Sequence, residues 1–243
     1  MQNYIFQDPL TFLRRMPDHK SEGVSQILFG EAYQVLEKSG SWVHIKCLHD
    51  DYNGWIQPNE DYQDYIKKGP NLVADALIRI KTVKGMLRIP FGSYVEENQL
   101  YPGNLGEINV LKTPLNLESA NDLITKIFLG SPYVWGGRTV FGIDCSGLSQ
   151  MYYRLLGIDI PRDSQPQSNI GHKIDSLKEL NQGDLAFFTT DSEKISHVGI
   201  IMQEDKIIHA SGKVRIDRLT NDGILREETQ LITHKLHSIR RII

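Results

Sequence analysis

Among its 243 residues the chain has two cysteines and eight histidines, and one cysteine stands where a nucleophile would be useful. Cys145 follows the Gly-rich run Tyr133-Val-Trp-Gly-Gly-Arg-Thr-Val-Phe-Gly-Ile-Asp144. Downstream, Leu148, Met151, Tyr152, Leu155 and Leu156 recur at helical spacing. That spacing predicts a helix with Cys145 in its first turn. Asp144 suits the N-cap, Gly142 a sharp approach and Gly157 the stop. Unpaired N–H groups and the positive end of the helix dipole would then favour a thiolate, the nucleophilic form of cysteine.

A nucleophile of this kind needs a base, and the base needs a partner to orient it. His197 opens one apolar run and His209 lies toward the end of the next, with Glu204-Asp205 as the turn between them. In an antiparallel hairpin those two positions fall on one edge. If that sheet packs on the cysteine helix, His197 reaches Cys145 while His209 holds the far ring nitrogen and fixes the tautomer. Cys145 with two histidines would also supply zinc ligand types, but no fourth ligand suggests itself, so neither metal nor cofactor is expected. His19, His44, His49, His172, His234 and His237 are read as surface or structural residues, and Cys47 as core packing.

The surrounding elements divide the chain. Residues 1–23 read as an irregular lead-in. Over 24–69 short strands with turns between them argue a small barrel or sandwich. In Ser41–Leu48, Val43, Ile45 and Cys47 share one face and Trp42, His44, Lys46 and Leu48 the other. Residues 58–70 read as a linker. A second barrel is expected over 70–115, with a turn at Pro102-Gly-Asn104; barrels this small should lean on a neighbour. From 116 to 243 a helix capped by Asn116 or Ser119 and stopped by Gly130 precedes the cysteine helix. Strands follow over Gly183–Phe188, His197–Met202, Lys206–Ala210 and Ser238–Ile243. Helices first and an antiparallel sheet after is an α+β order.

Composition excludes some classes. A net charge of −3 gives no general attraction to nucleic acid or anionic lipid. Two distant cysteines argue against a disulfide framework. No run approaches a membrane span, and the first residues lack a basic and apolar leader, so the sequence as given reads as cytoplasmic.

The motifs Tyr133-Val-Trp-Gly-Gly137, Asp144-Cys-Ser-Gly147, Pro161-Arg-Asp-Ser164, Gly183-Asp-Leu185, Ser196-His-Val-Gly199 and Ile208-His-Ala210 resemble the NlpC/P60 family of cysteine peptidases. Residues 24–113 resemble the paired bacterial SH3-like domains of one branch, the γ-D-glutamyl-L-diamino acid endopeptidases, or dipeptidyl-peptidases VI. The resemblance implies a papain-like catalytic domain after two SH3-like barrels. It implies Cys145 as nucleophile, His197 as general base and acid, His209 as third member and Tyr133 as an oxyanion donor. It further implies that Asp144, Ser146, Asp163 and Ser164 bind the free N-terminal L-Ala and the γ-D-Glu of a murein peptide, and that Tyr52 walls the pocket. The third residue of that peptide is left open between diaminopimelate and lysine. A monomeric enzyme of peptide recycling is expected, its barrels restricting the site to short peptides. An amidase or acyltransferase on the same scaffold, or a non-catalytic wall-binding module, are the alternatives.

Overall fold

The computed structural model describes residues 2–58, 63–64, 71–83, 85–100, 108–189 and 194–243. The chain forms two units. One comprises Met1–Pro114 with Trp135–Val140, and the other Leu115–Val134 with Phe141–Ile243. Most of the expected 58–70 linker and the Pro102–Asn104 turn lie outside the described residues.

The first unit begins with β1 (Asn3–Ile5), β2 (Leu10–Arg14), β3 (Gly23–Leu28), β4 (Ala32–Ser39), β5 (Trp42–Cys47), β6 (Asn53–Ile56) and β7 (Gln63–Asp64). They form one sheet in the order β3-β2-β6-β5-β4-β1-β7. The irregular lead-in expected over 1–23 is therefore corrected, because it supplies β1 and β2. Both strands are short and mostly half-buried, so no clean alternation marks them, yet Phe6 and Leu13 are buried in the core. The expected faces of 41–48 hold: Val43, Ile45 and Cys47 are buried beside Val24, Ile27, Tyr33 and Ile56.

β8 (Asn71–Val73), β9 (Leu77–Thr82), β10 (Gly85–Pro90), β11 (Tyr94–Val95) and β12 (Val110–Leu111) make two smaller sheets, β10-β9 and β11-β8-β12. Their core of Val73, Ile78, Ile80, Ile89 and Val95 also takes in Phe29. That sharing is the leaning on a neighbour that so small a core requires.

β13 (Arg138–Thr139) belongs to this unit as well. Arg138 is fully buried and pairs with Glu31 through Nη1 at 3.0 Å and Nη2 at 2.8 Å, while its backbone N–H donates to Gln26 Oε1 at 2.7 Å. Cys47, His49 and Asp50 bring possible metal-ligating atoms within 4.8 Å of one another. The Arg138 guanidinium nevertheless lies 3.3 Å from His49 Nε2, so a fixed positive charge stands where a cation would bind.

The second unit contains α1 (Leu117–Phe128), β14 (Gly142–Ile143), α2 (Cys145–Leu155), α3 (Ser164–Gln167) and β15 (His172–Ile174). Then come β16 (Leu185–Thr189), β17 (Ile195–Ile201), β18 (Lys206–Ser211), β19 (Lys213–Leu219), β20 (Gly223–Arg226) and β21 (Leu231–Arg241). The sheet runs β15-β21-β16-β17-β18-β19-β20, and β20 also pairs with β21, so β16 to β21 close into a six-stranded barrel. Helix α2 packs on β17 and β18. β16 is buried throughout and β17 over His197–Ile201, which is why they read as nearly continuous apolar runs. Asn116 caps α1 by accepting the Ser119 N–H at 2.8 Å. The strand expected at 238–243 is longer and starts at Leu231, and β15, β19 and β20 escaped the sequence reading. In β19 the obstacle is chemical, since Arg215 and Asp217 occupy alternate positions where apolar residues would mark a strand face.

Candidate active site

The α2 start forms as its sequence dictates. Asp144 is extended at φ −94° and ψ 174°, and its side chain accepts the Gly147 N–H at 2.7 Å. Gly157, at φ 74°, follows the helix end. Gly142 does not need unusual backbone freedom; a Cβ there would lie 2.4 Å from Val134 Cγ2, so close packing explains it.

Cys145 is buried at 6 % exposure. Its sulfur accepts the backbone N–H groups of Val198 and Ser146, which puts the thiol beside the residue that follows His197. Burial, and then the Asp144 carboxylate, push its pKa up to about 12. This corrects the expectation of a resting thiolate: the N–H donors at the helix start lose to desolvation and to the neighbouring negative charge. Cys145 rests as a thiol, and to act as a nucleophile it would need a base.

The histidine expected to serve as base is positioned by register. Phe188 pairs with His197, Gly199 with His209, and His209 with Arg215, so these residues share one sheet face. His197 and His209 are thus diagonal neighbours rather than a direct pair. Gly199 opposite His209 makes the diagonal contact possible, since a Cβ on Gly199 would stand 3.1 Å from His209 Cβ and 2.6 Å from Ile207 Cδ1. His197 Nε2 lies 2.8 Å from His209 Nδ1, and His209 Nε2 lies 3.0 Å from Asp217 Oδ2.

Proton bookkeeping along this row has one consistent solution for neutral rings. The Asp217 carboxylate can only accept, so His209 Nε2–H donates to it. His209 Nδ1 then carries a lone pair and accepts His197 Nε2–H. His197 Nδ1 is left as the basic atom. Arg215 keeps Asp217 ionised through Nε at 2.6 Å and Nη2 at 3.2 Å, and the Glu227 N–H donates at 3.2 Å. Burial alone would raise the Asp217 pKa, but the hydrogen bonds from His209, Arg215 and Glu227 outweigh it and hold the carboxyl well below its ordinary range. His197 is driven the other way: burial first, then His209 and His234, lower its pKa well below 6.5. His197 rests neutral.

His234 was read as surface or structural, and it stacks on His197 with ring centroids 4.2 Å apart and planes at 24°. Burial lowers its pKa to about 4, so the stacked ring is also neutral. Tyr133 is half-buried, and its pKa is raised by burial and by Cys145 and Asp144; the phenol stays protonated near the thiol, as an oxyanion donor must.

The residues assigned to substrate divide. Asp144 accepts Arg162 Nη2 at 2.6 Å and Nη1 at 2.9 Å, and Ser146 Oγ accepts Arg162 Nη1 at 2.9 Å. Arg162 is 1 % exposed, so this is a buried, bidentate ion pair beneath the helix start. Asp163 is exposed at the N-cap position of α3 and Ser164 is half-buried at its start. Gln167 Nε2 donates to Ser146 O at 3.1 Å and Pro161 O at 2.7 Å, tying α3 to the first turn of α2. Tyr52 lies in the first unit, half-buried against that unit's core. Asp217 and Arg215 lie outside every motif singled out in the sequence, His234 stands there only among the surface or structural histidines, and Arg162 stands in a motif without an assigned role. Only the alternate-residue charges of β19 could have signalled the first two.

Comparison with known proteins adds family evidence. Residues 130–233 match the NlpC/P60 family, and residues 13–60 match a bacterial dipeptidyl-peptidase SH3 domain. A γ-D-glutamyl-L-lysine dipeptidyl-peptidase of Bacillus cereus is 31 % identical over 84 % of this chain and 72 % of its own length. Dipeptidyl-peptidase 6 of Lysinibacillus sphaericus is 27 % identical over 80 % of this chain and 82 % of its own. The crystal structure of an NlpC/P60 family protein from Bacillus cereus shares the fold over 99 % of both chains, with a TM-score of 0.77 at 21 % identity.

Proposed function

The chain belongs to the NlpC/P60 family of cysteine peptidases, and from that premise we propose that it cleaves the γ-D-glutamyl–diamino acid bond of murein peptides with a free N-terminal L-Ala. The observation that carries this reading is the His197, His209, Asp217 row, with the Cys145 thiol beside the Val198 N–H that follows it, in a chain whose relatives bear dipeptidyl-peptidase names. His197 Nδ1 takes the Cys145 proton as the sulfur attacks the γ-carbonyl carbon and a C–S bond forms. The backbone N–H of Cys145 and the Tyr133 hydroxyl hold the oxyanion. As the C–N bond breaks, protonated His197 gives its proton to the departing diamino acid nitrogen. Water, deprotonated by His197, then attacks the thioester carbonyl; the C–S bond breaks, L-Ala-D-Glu leaves as the acid, and His197 returns the proton to the Cys145 sulfur.

Exposed Asp163, with Ser164 beside it, suits the substrate's ammonium better than Asp144, whose carboxylate is committed to Arg162 and to the helix cap. Asp163 and Ser164 belong to the same Pro161-Arg-Asp-Ser164 motif as Arg162. Soluble peptides, as in recycling, rather than intact wall would be the natural substrates of a site that recognises a free amine.

The test is to incubate wild type and Cys145→Ala with L-Ala-γ-D-Glu-meso-diaminopimelate and with its N-acetylated form, reading products by mass. Release of L-Ala-D-Glu from the free amine alone, absent in the variant, is the expected result. Equal cleavage of both peptides would overturn the amine requirement. Cleavage of neither would overturn the proposed reaction.

A further inference from the structure

We propose that His234 is a positioning residue for the reaction: its ring covers one face of His197 and clamps it in the plane in which Nδ1 works as the base. This rests on the role proposed for His197 above and adds a member outside the hydrogen-bonded row. His234 stands just past residues 130–233, which match the family.

One hydrogen bond does not fix a ring. His197 Nε2 is tied to His209 Nδ1 at 2.8 Å, and the imidazole can still rock about that contact. His234 removes this freedom. Its ring centroid lies 4.2 Å from that of His197 with the planes at 24°, whereas His209 meets His197 edge-on at 84°. Flat rings this close cannot tilt independently. Phe188 closes another side, its ring 6.0 Å from His197 and 6.3 Å from His234.

The strands are built to deliver this ring. His197 pairs with Phe188 and Phe188 with Leu236, and His234 lies two residues before Leu236 on the same sheet face. On the other side Ile224 of β20 pairs with His234. The register breaks at the next step, which leaves Thr233 as the extra residue of a bulge. Bulges next to active sites commonly re-aim a side chain. Gly223, at φ 139°, lets β20 approach, since a Cβ there would collide with His234 O. Thr233 Oγ1 lies 2.9 Å from His234 Nδ1 and tethers the ring edge. A clamp on a base that becomes a cation must itself stay uncharged. Burial, His209 and Arg226 keep His234 neutral down to about pH 4, against the opposite pull of Asp217.

The test measures kcat and KM for L-Ala-γ-D-Glu-meso-diaminopimelate in wild type, His234→Leu and His234→Phe, with rates taken per folded molecule from urea unfolding. Leu fills the space without a flat face, and Phe restores the face without a charge. His234→Leu should lower kcat by roughly 10²-fold at unchanged KM, the scale on which misplacing a catalytic group acts. His234→Phe should recover most of that loss. A Phe variant no faster than the Leu variant, or a rise in KM in place of the fall in kcat, would overturn the clamp. A second arm follows the His197 ring by NMR titration and needs no turnover. His234→Ala opens the covered face to water, so the His197 pKa should rise toward 6.5, while His234→Phe should hold it lower. If wild type cleaves no peptide, the proposed reaction fails, and the clamp then stands only on this titration. A His197 pKa that is the same in wild type and His234→Ala overturns it.

Discussion

At the residue scale the site is a row of hydrogen bonds that prepares one nitrogen. Asp217 fixes the His209 tautomer, His209 fixes that of His197, and His197 Nδ1 is left as the atom that takes the thiol proton in the proposed reaction. Asp217→Asn removes the charge that specifies the row. It should lower kcat roughly 10²–10⁴-fold with little change in KM; a variant as fast as wild type would remove Asp217 from the account. The pH profile should follow the same residues. His197 is held below 6.5, so it stays an unprotonated base to lower pH than an ordinary histidine, and the acid limb of kcat/KM should fall below that value. Because Cys145 ionises only at about 12, the thiol itself should impose no loss of rate in the neutral range. A measured acid limb above 7 would contradict the burial argument. The place of Cys145 at a helix start and the contact between His197 and His209 were legible in the sequence because residue type, cap and hairpin spacing all agreed. The thiol's protonation state was not, since it depends on the desolvation and the Asp144 charge that only packing reveals.

Two devices at the element scale hold the row in place. The first is the close approach of β17 and β18 at Gly199. Gly199→Ala would push a methyl against Ile207 and His209. It should cost about 1–3 kcal/mol of stability and lower kcat further than the stability loss accounts for, measured by urea unfolding beside steady-state kinetics. Equal activity per folded molecule would mean the diagonal histidine contact tolerates a shift. The second is the buried Asp144–Arg162 pair under the start of α2. Arg162→Met leaves a buried carboxylate unpaired beside the nucleophile and should destabilise the second unit by about 3–5 kcal/mol. A loss below 1 kcal/mol would show that water or a neighbour replaces the guanidinium. α1, α2 and the central strands were readable from apolar spacing, caps and turns. β19 was not, because its inward face carries Arg215 and Asp217 for the site instead of apolar residues for the core. β1 and β2 were hidden by their shortness and their half-buried surfaces.

At the scale of the whole molecule, the histidine cluster ties stability to pH. His197, His209 and His234 all have folded pKa values below 6.5, that of His234 at about 4. In the unfolded chain they protonate near 6.5, so below that pH the unfolded state binds more protons than the folded one. Their contribution is present above 6.5 and is lost as pH falls from there through about 4. Asp217, held low, adds a loss of the same sign only at more acid pH, below the ordinary carboxylate range. Urea midpoints should drop steadily from pH 7 to pH 4.5, and His234→Phe should flatten that slope. A midpoint independent of pH over this window would mean that the rings are solvated.

The most direct test of the chemistry is to mix the enzyme with L-Ala-γ-D-Glu-meso-diaminopimelate, quench with acid during turnover, and map the protein by mass. The account predicts an L-alanyl-D-glutamyl group in thioester linkage to Cys145, absent from Cys145→Ala, which turns over no peptide. An acyl group mapped to another residue, or turnover that persists in Cys145→Ala, would contradict it.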